Sequence, residues 1–170
     1  MADRMSPEAR SYTMSRIRSS GTKPELLLGE LLAEYVPPGV QLVHQADDLP
    51  GRPDWWIPAL GLVFFADGCF FHGCPKHFIV PDQNQAYWLS KIKRNRLRDR
   101  EVDKQLKELG LRPVRIWEHD LVANNLRNAR RRIREALKAA SVVASGNNQP
   151  SRGGTNKHQD RIHDHSAGRE

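Results

Sequence analysis

The segment FFADGCFFHGCPKHF, residues 64–78, gathers most of the residues in this chain that could do chemistry together. It carries both cysteines, two of the seven histidines and one acidic residue directly after an apolar run. Cys69, Cys74 and His77 supply three zinc-type ligands within nine residues, and His119, which follows a later apolar stretch, could complete a tetrahedral Cys₂His₂ set. The alternative is that the thiols are small buried hydrophobic groups and the histidines lie on the surface.

Two carboxylates stand at the ends of neighbouring predicted strands. Asp54 follows a Gly-Arg-Pro turn, and Asp67 ends the next strand along the chain. Adjacent antiparallel strands can bring both acids to one spot, where paired carboxylates bind Mg²⁺ and the ion acts on a substrate phosphate. The alternative is that Asp54 only caps a turn and Asp67 forms a surface salt bridge.

One histidine and one glutamate extend this predicted site. His72 lies among the zinc-type ligands but is not needed to complete the four, and an imidazole with an ordinary pKa of about 6.5 suits proton transfer. Glu25 occupies the fourth position of Thr-Lys-Pro-Glu, which has the form of a helix capping box. The sequence leaves open whether Glu25 is catalytic or only a cap.

Basic and aromatic residues predict a surface for a polyanion. Residues 91–100, KIKRNRLRDR, carry six basic groups and one acid, and RNARRRIR near the end adds five more. Such runs contact phosphates, although part of each is an ordinary solvated helix face. We take Lys91 and Arg94 as DNA contacts, and Phe70, Phe71 and Trp88 as either core residues or an apolar wedge that unstacks a base step.

The whole composition agrees with a nucleic-acid partner. The chain has 170 residues, 27 Lys+Arg against 20 Asp+Glu, a net charge of +7 and a pI near 9.8. Ribosomal, membrane-surface and simply basic soluble proteins share this balance. No apolar stretch of about 18 residues and no signal peptide is visible, which predicts a cytosolic protein with reduced thiols.

The elements that must position these residues are those of an α/β domain. The predicted order, after a short basic helix in SPEARSYTMSRIRS, is a helix in LLLGELLAEY, a strand in VQLVHQA, a hairpin of DWWIP and GLVFFAD, a long helix over about 84–109, and a strand in LRPVRIW. A basic amphipathic helix closes the domain, predicted over residues 1–140. Residues 141–170 are predicted to form a disordered polar tail.

The motifs in combination resemble the very short patch repair (Vsr) mismatch endonucleases. The stretches SPEARSYTMSRIRSSGTKPE, LPGRPDWWIP, VFFADGCFFHGCPKHF, YWLSKIKRNRLRDR and VRIWEH occur in the order typical of that family. The resemblance implies a restriction-endonuclease-like fold with a variant PD-(D/E)xK core, in which helices flank a mixed central sheet. It also implies Mg²⁺-dependent nicking beside T:G mismatches that arise from deaminated 5-methylcytosine, and one structural zinc.

By resemblance, Asp54 is the metal-binding acid, the Ala66 carbonyl is a second magnesium contact and His72 is the catalytic histidine. Glu25 matches a glutamate near the site, and Asp67 occupies a position that is histidine in some members. The zinc positions fall on Cys69, Cys74, His77 and His119. The aromatic residues that wedge into the duplex fall on Phe70, Phe71 and Trp88.

Three positions depart from the pattern of the family and superfamily. Cys69 stands where the wider superfamily keeps a lysine, Phe71 replaces a common tryptophan, and His119 replaces a cysteine seen in some members. The expected partners are double-stranded DNA and mismatch-repair proteins, and we expect a monomer at the bacterial nucleoid rather than at a membrane. Two rival functions are a same-fold nuclease without mismatch specificity and a non-catalytic zinc-stabilised DNA-binding module.

Overall fold

A computed structural model describes Ser6 and residues 20–146 of the chain. The predicted first helix in SPEARSYTMSRIRS and the predicted tail beyond residue 146 lie outside these residues. The described part forms helices α1 (Lys23–Tyr35), α2 (Gln85–Glu108) and α3 (Arg127–Gly146), and strands β1 (Val43–His44), β2 (Trp55–Ile57), β3 (Leu62–Asp67) and β4 (Arg112–Trp117). Two short 3₁₀ helices, Pro58–Leu60 and Glu118–Asp120, follow β2 and β4.

The four strands form one mixed sheet in the order β1-β2-β3-β4. The first three pair antiparallel, and β4 pairs parallel to β3 with Asp67 opposite Trp117. The β2–β3 hairpin is therefore confirmed. Because parallel strands need a long crossover connection, α2 serves as the crossover between β3 and β4.

Strand β3 is buried on both faces, as its continuous apolar run predicts. Leu62 and Phe64 belong to a core that α1 and α3 cover, whereas Val63 and Phe65 belong to a second core that α2 covers. Each fully buried side chain of this kind contributes roughly 1.5–3 kcal/mol to folding. Two packed layers thus fix β3 and the position of Asp67 at its end.

Three local predictions differ from the structure. Strand β1 has only two residues because Gln45 turns the chain with φ 53°. Helix α3 continues past Ser141 to Gly146 and meets no glycine or proline before it. The Ser141 hydroxyl donates to the Leu137 carbonyl, which satisfies that polar side chain inside the helix.

In the part of the chain that the structure describes, none of the helices combines the length and the apolar character that crossing a membrane requires.

Candidate active site

The two cysteines and two of the histidines converge into one cluster. Ligand atoms of Cys69, Cys74, His77 and His119 all lie within 4.8 Å of one another. The Cys74 sulfur is 3.6 Å from His119 Nδ1 and 3.7 Å from His77 Nδ1, and the Cys69 sulfur is 3.2 Å from His119 Nδ1. A tetrahedral zinc site with ordinary Zn–S and Zn–N bonds separates sulfur from nitrogen by about 3.5 Å. The donor set and its spacing therefore fit a metal ion.

The protonation states of the cluster mean that metal binding there must release a proton. Burial raises the pKa of the Cys69 thiol to about 11, and burial lowers the pKa of His119. Neutral imidazole is the form that binds a metal, whereas the thiol must give up its proton to do so. The Glu118 carboxylate accepts a 2.9 Å hydrogen bond from the Cys69 N–H, which ties the loop to the end of β4.

The loop between β3 and α2 turns tightly to bring its ligands together. The Cys74 N–H donates to the Cys69 carbonyl at 2.9 Å, and Gly73 has φ 62°. A Cβ at position 73 would lie 2.8 Å from a methyl of Ile92, so both the backbone angle and the space require glycine. His72, the residue before this glycine, is thereby directed away from the cluster and toward α2.

Asp54 lies beside the end of β3 without a cationic partner. Its carboxylate accepts a 2.7 Å hydrogen bond from the Ala66 N–H, and no lysine or arginine of the described residues pairs with it. Burial raises the pKa of Asp54 to about 7, the charges of Glu25 and Asp67 add to this, and the Ala66 N–H and His72 oppose it. The predicted acids thus lie close enough for their charges to interact, and Asp54 carries negative charge that the described residues leave uncompensated.

Asp67 is nearly buried, and an arginine that the sequence analysis did not single out neutralises it. Arg115 of β4 donates to the Asp67 carboxylate at 2.9 Å. Burial raises the pKa of Asp67, although Arg115 and His72 lower it. Asp67 thus forms the salt bridge that the alternative interpretation expects, with its own carboxylate buried and Arg115 partly exposed.

His72 bonds to a second missed residue, Asp99 of α2. The distance from His72 Nδ1 to the Asp99 carboxylate is 2.7 Å, and the distance to Asp67 is 3.8 Å. Burial opposes ionisation of Asp99, but the hydrogen bond and charge of His72, together with Arg115, outweigh it and lower the pKa of Asp99. A carboxylate that accepts from Nδ1–H leaves Nε2 free to take or give a proton.

Glu25 forms a variant of the predicted cap. Its carboxylate accepts hydrogen bonds from the Gly21 N–H at 2.7 Å and from the Thr22 hydroxyl at 2.8 Å. In a capping box the Thr22 oxygen would instead accept from the helix, and here it makes no such bond. Glu25 is nevertheless buried, and its carbonyl accepts from the Trp55 indole at 2.8 Å, so the same residue ties α1 to β2 beside Asp54.

The predicted wedge residues form an aromatic cluster on the loop and α2. Phe70 packs edge-to-face against Phe71 and against Trp88, with ring centroids 5.3 and 4.9 Å apart. Trp88 is only 7% exposed, so its ring supports Phe70 from inside, whereas the neighbouring Tyr87 is 47% exposed. The Lys91 ammonium lies 5.3–5.9 Å from three of these ring centroids, and Arg94 is exposed on the same helix.

Residues that the sequence analysis missed share one property. Asp99, Asp103 and Arg115 lie within a helix and a strand whose periodicity identified them only as ordinary charged positions. The available signal was a charged residue, Arg115, in the middle of β4. It lies opposite Phe65 of β3, a strand that is buried on both faces. Such a residue must find partners inside the fold.

The sequence matches known proteins that act on DNA. Residues 2–77 match the family described as DNA mismatch endonuclease Vsr. The type II nicking enzyme V.NaeI of Lentzea aerocolonigenes is 40% identical over 113 residues, which are 65% of this chain and 68% of that protein. The type II nicking enzyme V.XorIIP of Xanthomonas oryzae is 38% identical over 122 residues, covering 71% of this chain and 88% of that protein.

A third relative carries the family name itself. The DNA mismatch endonuclease Vsr of Escherichia coli is 37% identical over 119 residues, which cover 69% of this chain and 74% of that protein. The family match over residues 2–77 includes Glu25, Asp54, Asp67 and three of the four cluster residues. The chain therefore belongs to the Vsr family of DNA mismatch endonucleases and is itself an endonuclease.

Proposed function

We propose that this endonuclease nicks one strand of duplex DNA at T:G mismatches in a Mg²⁺-dependent reaction, on a restriction-endonuclease-like fold. The observation that carries the proposal is the convergence of Glu25, Asp54 and Asp67 at the end of β3, where Asp54 has no cationic partner among the described residues. A buried carboxylate beside two others is costly unless a cation joins it. The oxygen donors suit Mg²⁺ in particular.

Asp54 and the carbonyl of Ala66 are the magnesium ligands in this proposal, and Asp67 contributes the oxygen that Arg115 leaves free. When bound, the ion supplies an activated water and neutralises negative charge on the scissile phosphate. Asp54 orients the site through its hydrogen bond to the Ala66 N–H, which fixes the carboxylate against the end of β3. Glu25 adds negative charge from α1.

His72 transfers the proton. Asp99 holds the imidazole by its Nδ1–H, so that Nε2 can accept a proton from the attacking water or donate one to the leaving oxygen. Cysteine stands at position 69, where the superfamily pattern has lysine, and the proposal gives the proton chemistry to His72 instead. Asp99 is a positioning residue in this scheme.

The Cys/His cluster holds a structural zinc in this proposal. All four positions are filled by protein ligands, which is typical of structural sites, whereas catalytic zinc keeps an open position. The cluster pins the loop on which Phe70, Phe71 and His72 lie. Its role is therefore to fix the distance between the wedge and the acids.

Phe70 and Phe71 are the wedge in this proposal, and Trp88 is their buried support rather than a direct contact. Both phenylalanines are partly exposed, and Lys91 places a cation beside them for the DNA backbone. Arg94 lies one turn further along α2 and is a second phosphate contact. An apolar wedge flanked by cations fits a protein that unstacks a mismatched step.

A strand-specific nicking assay tests the proposal. Duplexes identical except for one T:G, T:A or C:G pair are labelled on each strand in turn, with Mg²⁺ present or left out. We expect nicking of the T-containing strand of the T:G duplex alone, and none without Mg²⁺. Equal nicking of all three duplexes would favour the rival, a nuclease of the same fold that ignores mismatches.

A further inference from the structure

Arg115 is a partly buried cation that contacts the acids of the proposed site. It lies on β4, and its side chain is 19% exposed. It donates to Asp67 at 2.9 Å through Nη1 and to Asp103 at 2.9 Å through Nε, and its Nη2 donates to the Asp99 backbone carbonyl at 3.4 Å. The Asp99 carboxylate is 3.7 Å away.

These contacts join two elements that would otherwise meet only through apolar packing. Asp67 ends β3, whereas Asp99 and Asp103 lie one turn apart on α2. The guanidinium also lies 4.3 Å from the centre of the Phe65 ring, and this contact restrains the orientation of the guanidinium plane. A single side chain therefore sets the position of one turn of α2 against the end of β3.

The turn that Arg115 holds carries the partner of the proposed catalytic histidine. The Asp99 carboxylate bonds to His72 Nδ1 at 2.7 Å, and Asp67 lies 3.8 Å from the same nitrogen. Asp67 and Asp99 repel each other, and Arg115 offsets that repulsion from between them. Without this cation, the repulsion between the two carboxylates would favour rotation of the Asp99 side chain away from Asp67 and therefore away from His72.

We propose that Arg115 is a positioning residue that locks Asp99 onto His72 and fixes Asp67 beside it. The assignment rests on the proposed function for its consequence in catalysis, and on the contacts alone for its effect on His72. Lysine cannot take the role, because a point charge on a flexible stem cannot bond two carboxylates and a carbonyl at once while stacking on an aromatic ring. Asp103 is the anchor that aims the guanidinium.

Two conservative variants test the role while preserving the fold. Arg115→Lys keeps the positive charge, and Asp103→Asn weakens the Nε anchor by removing its negative charge, without touching Asp67, Asp99 or His72. Outer partners that orient a site residue typically contribute about 10- to 100-fold to activity. We expect kcat on a T:G duplex to fall about 10-fold in Arg115→Lys and severalfold in Asp103→Asn, with KM for the duplex within about twofold of wild type.

The matched control is Arg112→Lys. Arg112 lies on the same strand and donates to the Leu60 carbonyl at 3.0 Å, outside the acid network. We expect its kcat to remain at the wild-type value. Thermal unfolding of all three variants separates positioning from stability, because a purely structural role would reduce activity only in proportion to the unfolded fraction.

A second measurement reads the histidine directly and needs neither DNA nor Mg²⁺. Long-range ¹H–¹⁵N spectra, with His72 assigned from a His72→Gln variant, distinguish one fixed tautomer from two in exchange. We expect a single tautomer protonated at Nδ1 in wild type and exchange in Arg115→Lys. If both site variants keep the wild-type kcat and the wild-type His72 spectrum, the proposal for Arg115 is overturned. If the wild-type protein nicks no duplex but the His72 spectrum of Arg115→Lys changes as expected, only the proposed function fails.

Discussion

The Cys/His cluster and the acid site adjoin each other along the loop that follows β3, and they are built in opposite ways. The cluster draws three of its four ligands from residues 69–77, and their ligand atoms converge within 4.8 Å. The acid site draws its groups from α1, the approach to β2 and the end of β3, and its central residue Asp54 has no cationic partner in the described chain. One site is closed and locally encoded, whereas the other is assembled by the whole fold and left with excess negative charge.

In the proposed function, this contrast separates a site that stabilises from one that reacts. A metal held by four protein ligands would leave no place for a substrate, so the cluster would contribute only folding free energy and loop position. Repelling buried carboxylates lower stability until a cation and a phosphate arrive, which is how a site stores strain for function. Substitutions in the two sites should therefore change stability in opposite directions.

The largest expected effect is the loss of activity in Asp54→Asn. Asparagine keeps the hydrogen bond from the Ala66 N–H but removes the negative charge that attracts Mg²⁺ to the site. We expect nicking of a T:G duplex to fall by at least about 1,000-fold, the size typical of removing a principal electrostatic group. Rate measurements under single-turnover conditions check this, with the exposed Asp48→Asn as the control. Substantial Mg²⁺-dependent nicking by Asp54→Asn would show that Asp54 is not a magnesium ligand. It would also contradict the contrast between the cluster and an acid site centred on Asp54.

Loss of the cluster should have the next largest effect, and on stability. Cys74 is 1% exposed and its sulfur faces both histidines. We expect Cys74→Ser to lose stoichiometric zinc and at least about 3 kcal/mol in the free energy of unfolding, because metal binding contributes directly to folding. Metal analysis and denaturant unfolding test this, with the exposed Lys76→Ala as the loop control. A zinc-free wild-type protein that is unaffected by chelators would show that the cluster is not a metal site.

A substitution of Asp54 should increase the free energy of unfolding near neutral pH, which is opposite to the effect expected for a substitution in the cluster. The pKa of Asp54 is raised from 3.8 to about 7 in the folded protein, so the folded state binds a proton that the unfolded state releases. The contribution of Asp54 to the stability of the wild type therefore falls as pH rises from about 4 to 7, and Asp54→Asn does not share this loss. Between pH 5.5 and 7 the variant should gain about 2 kcal/mol relative to wild type.

Urea unfolding at several pH values, in buffer without Mg²⁺ and with zinc retained, measures that gain. Adding Mg²⁺ at pH 7.5 should recover part of the difference in wild type alone, since a ligand that binds only the folded state stabilises it. A stability difference independent of pH would mean that Asp54 is not strained in the folded protein. The contrast between the two sites would then be one of chemistry and not of stability.

The parts of this fold that depend on local pattern were predictable from the sequence. The continuous apolar run of β3, the helical spacing in α1 and α2, and the order of the elements all follow from periodicity, and the structure confirms them. The length of β1 did not follow, because it ends at the positive φ of Gln45, which residue types alone do not announce. The end of α3 at Gly146 does not follow either, because the polar composition near Ser141 predicts an earlier end of the helix.

The candidate site divides in the same way. The cluster could be predicted because its ligands are rare residue types at close spacing. The pairing of Asp67 with Arg115 and of His72 with Asp99 could not be predicted, because each pair joins positions 27 or more residues apart. The second pair also depends on which face of α2 packs on the sheet. Charged residues on a basic helix give no sequence signal that separates Asp99 from its solvated neighbours.

The smallest expected effect concerns Glu25, which belongs to both kinds of site. Glutamine can still accept from the Gly21 N–H through its oxygen and can donate its amide to the Thr22 hydroxyl oxygen, so Glu25→Gln should change the free energy of unfolding by no more than about 0.5 kcal/mol through the cap. If the negative charge serves the metal site, nicking at limiting Mg²⁺ should fall about three- to tenfold, because the charge acts on Asp54 from nearby without an ion pair. Thr22→Val, which removes one cap hydrogen bond and no charge, is the control and should keep full activity. Wild-type nicking by Glu25→Gln at every Mg²⁺ concentration would assign Glu25 to the cap alone, and the acid site would then consist of Asp54 and Asp67.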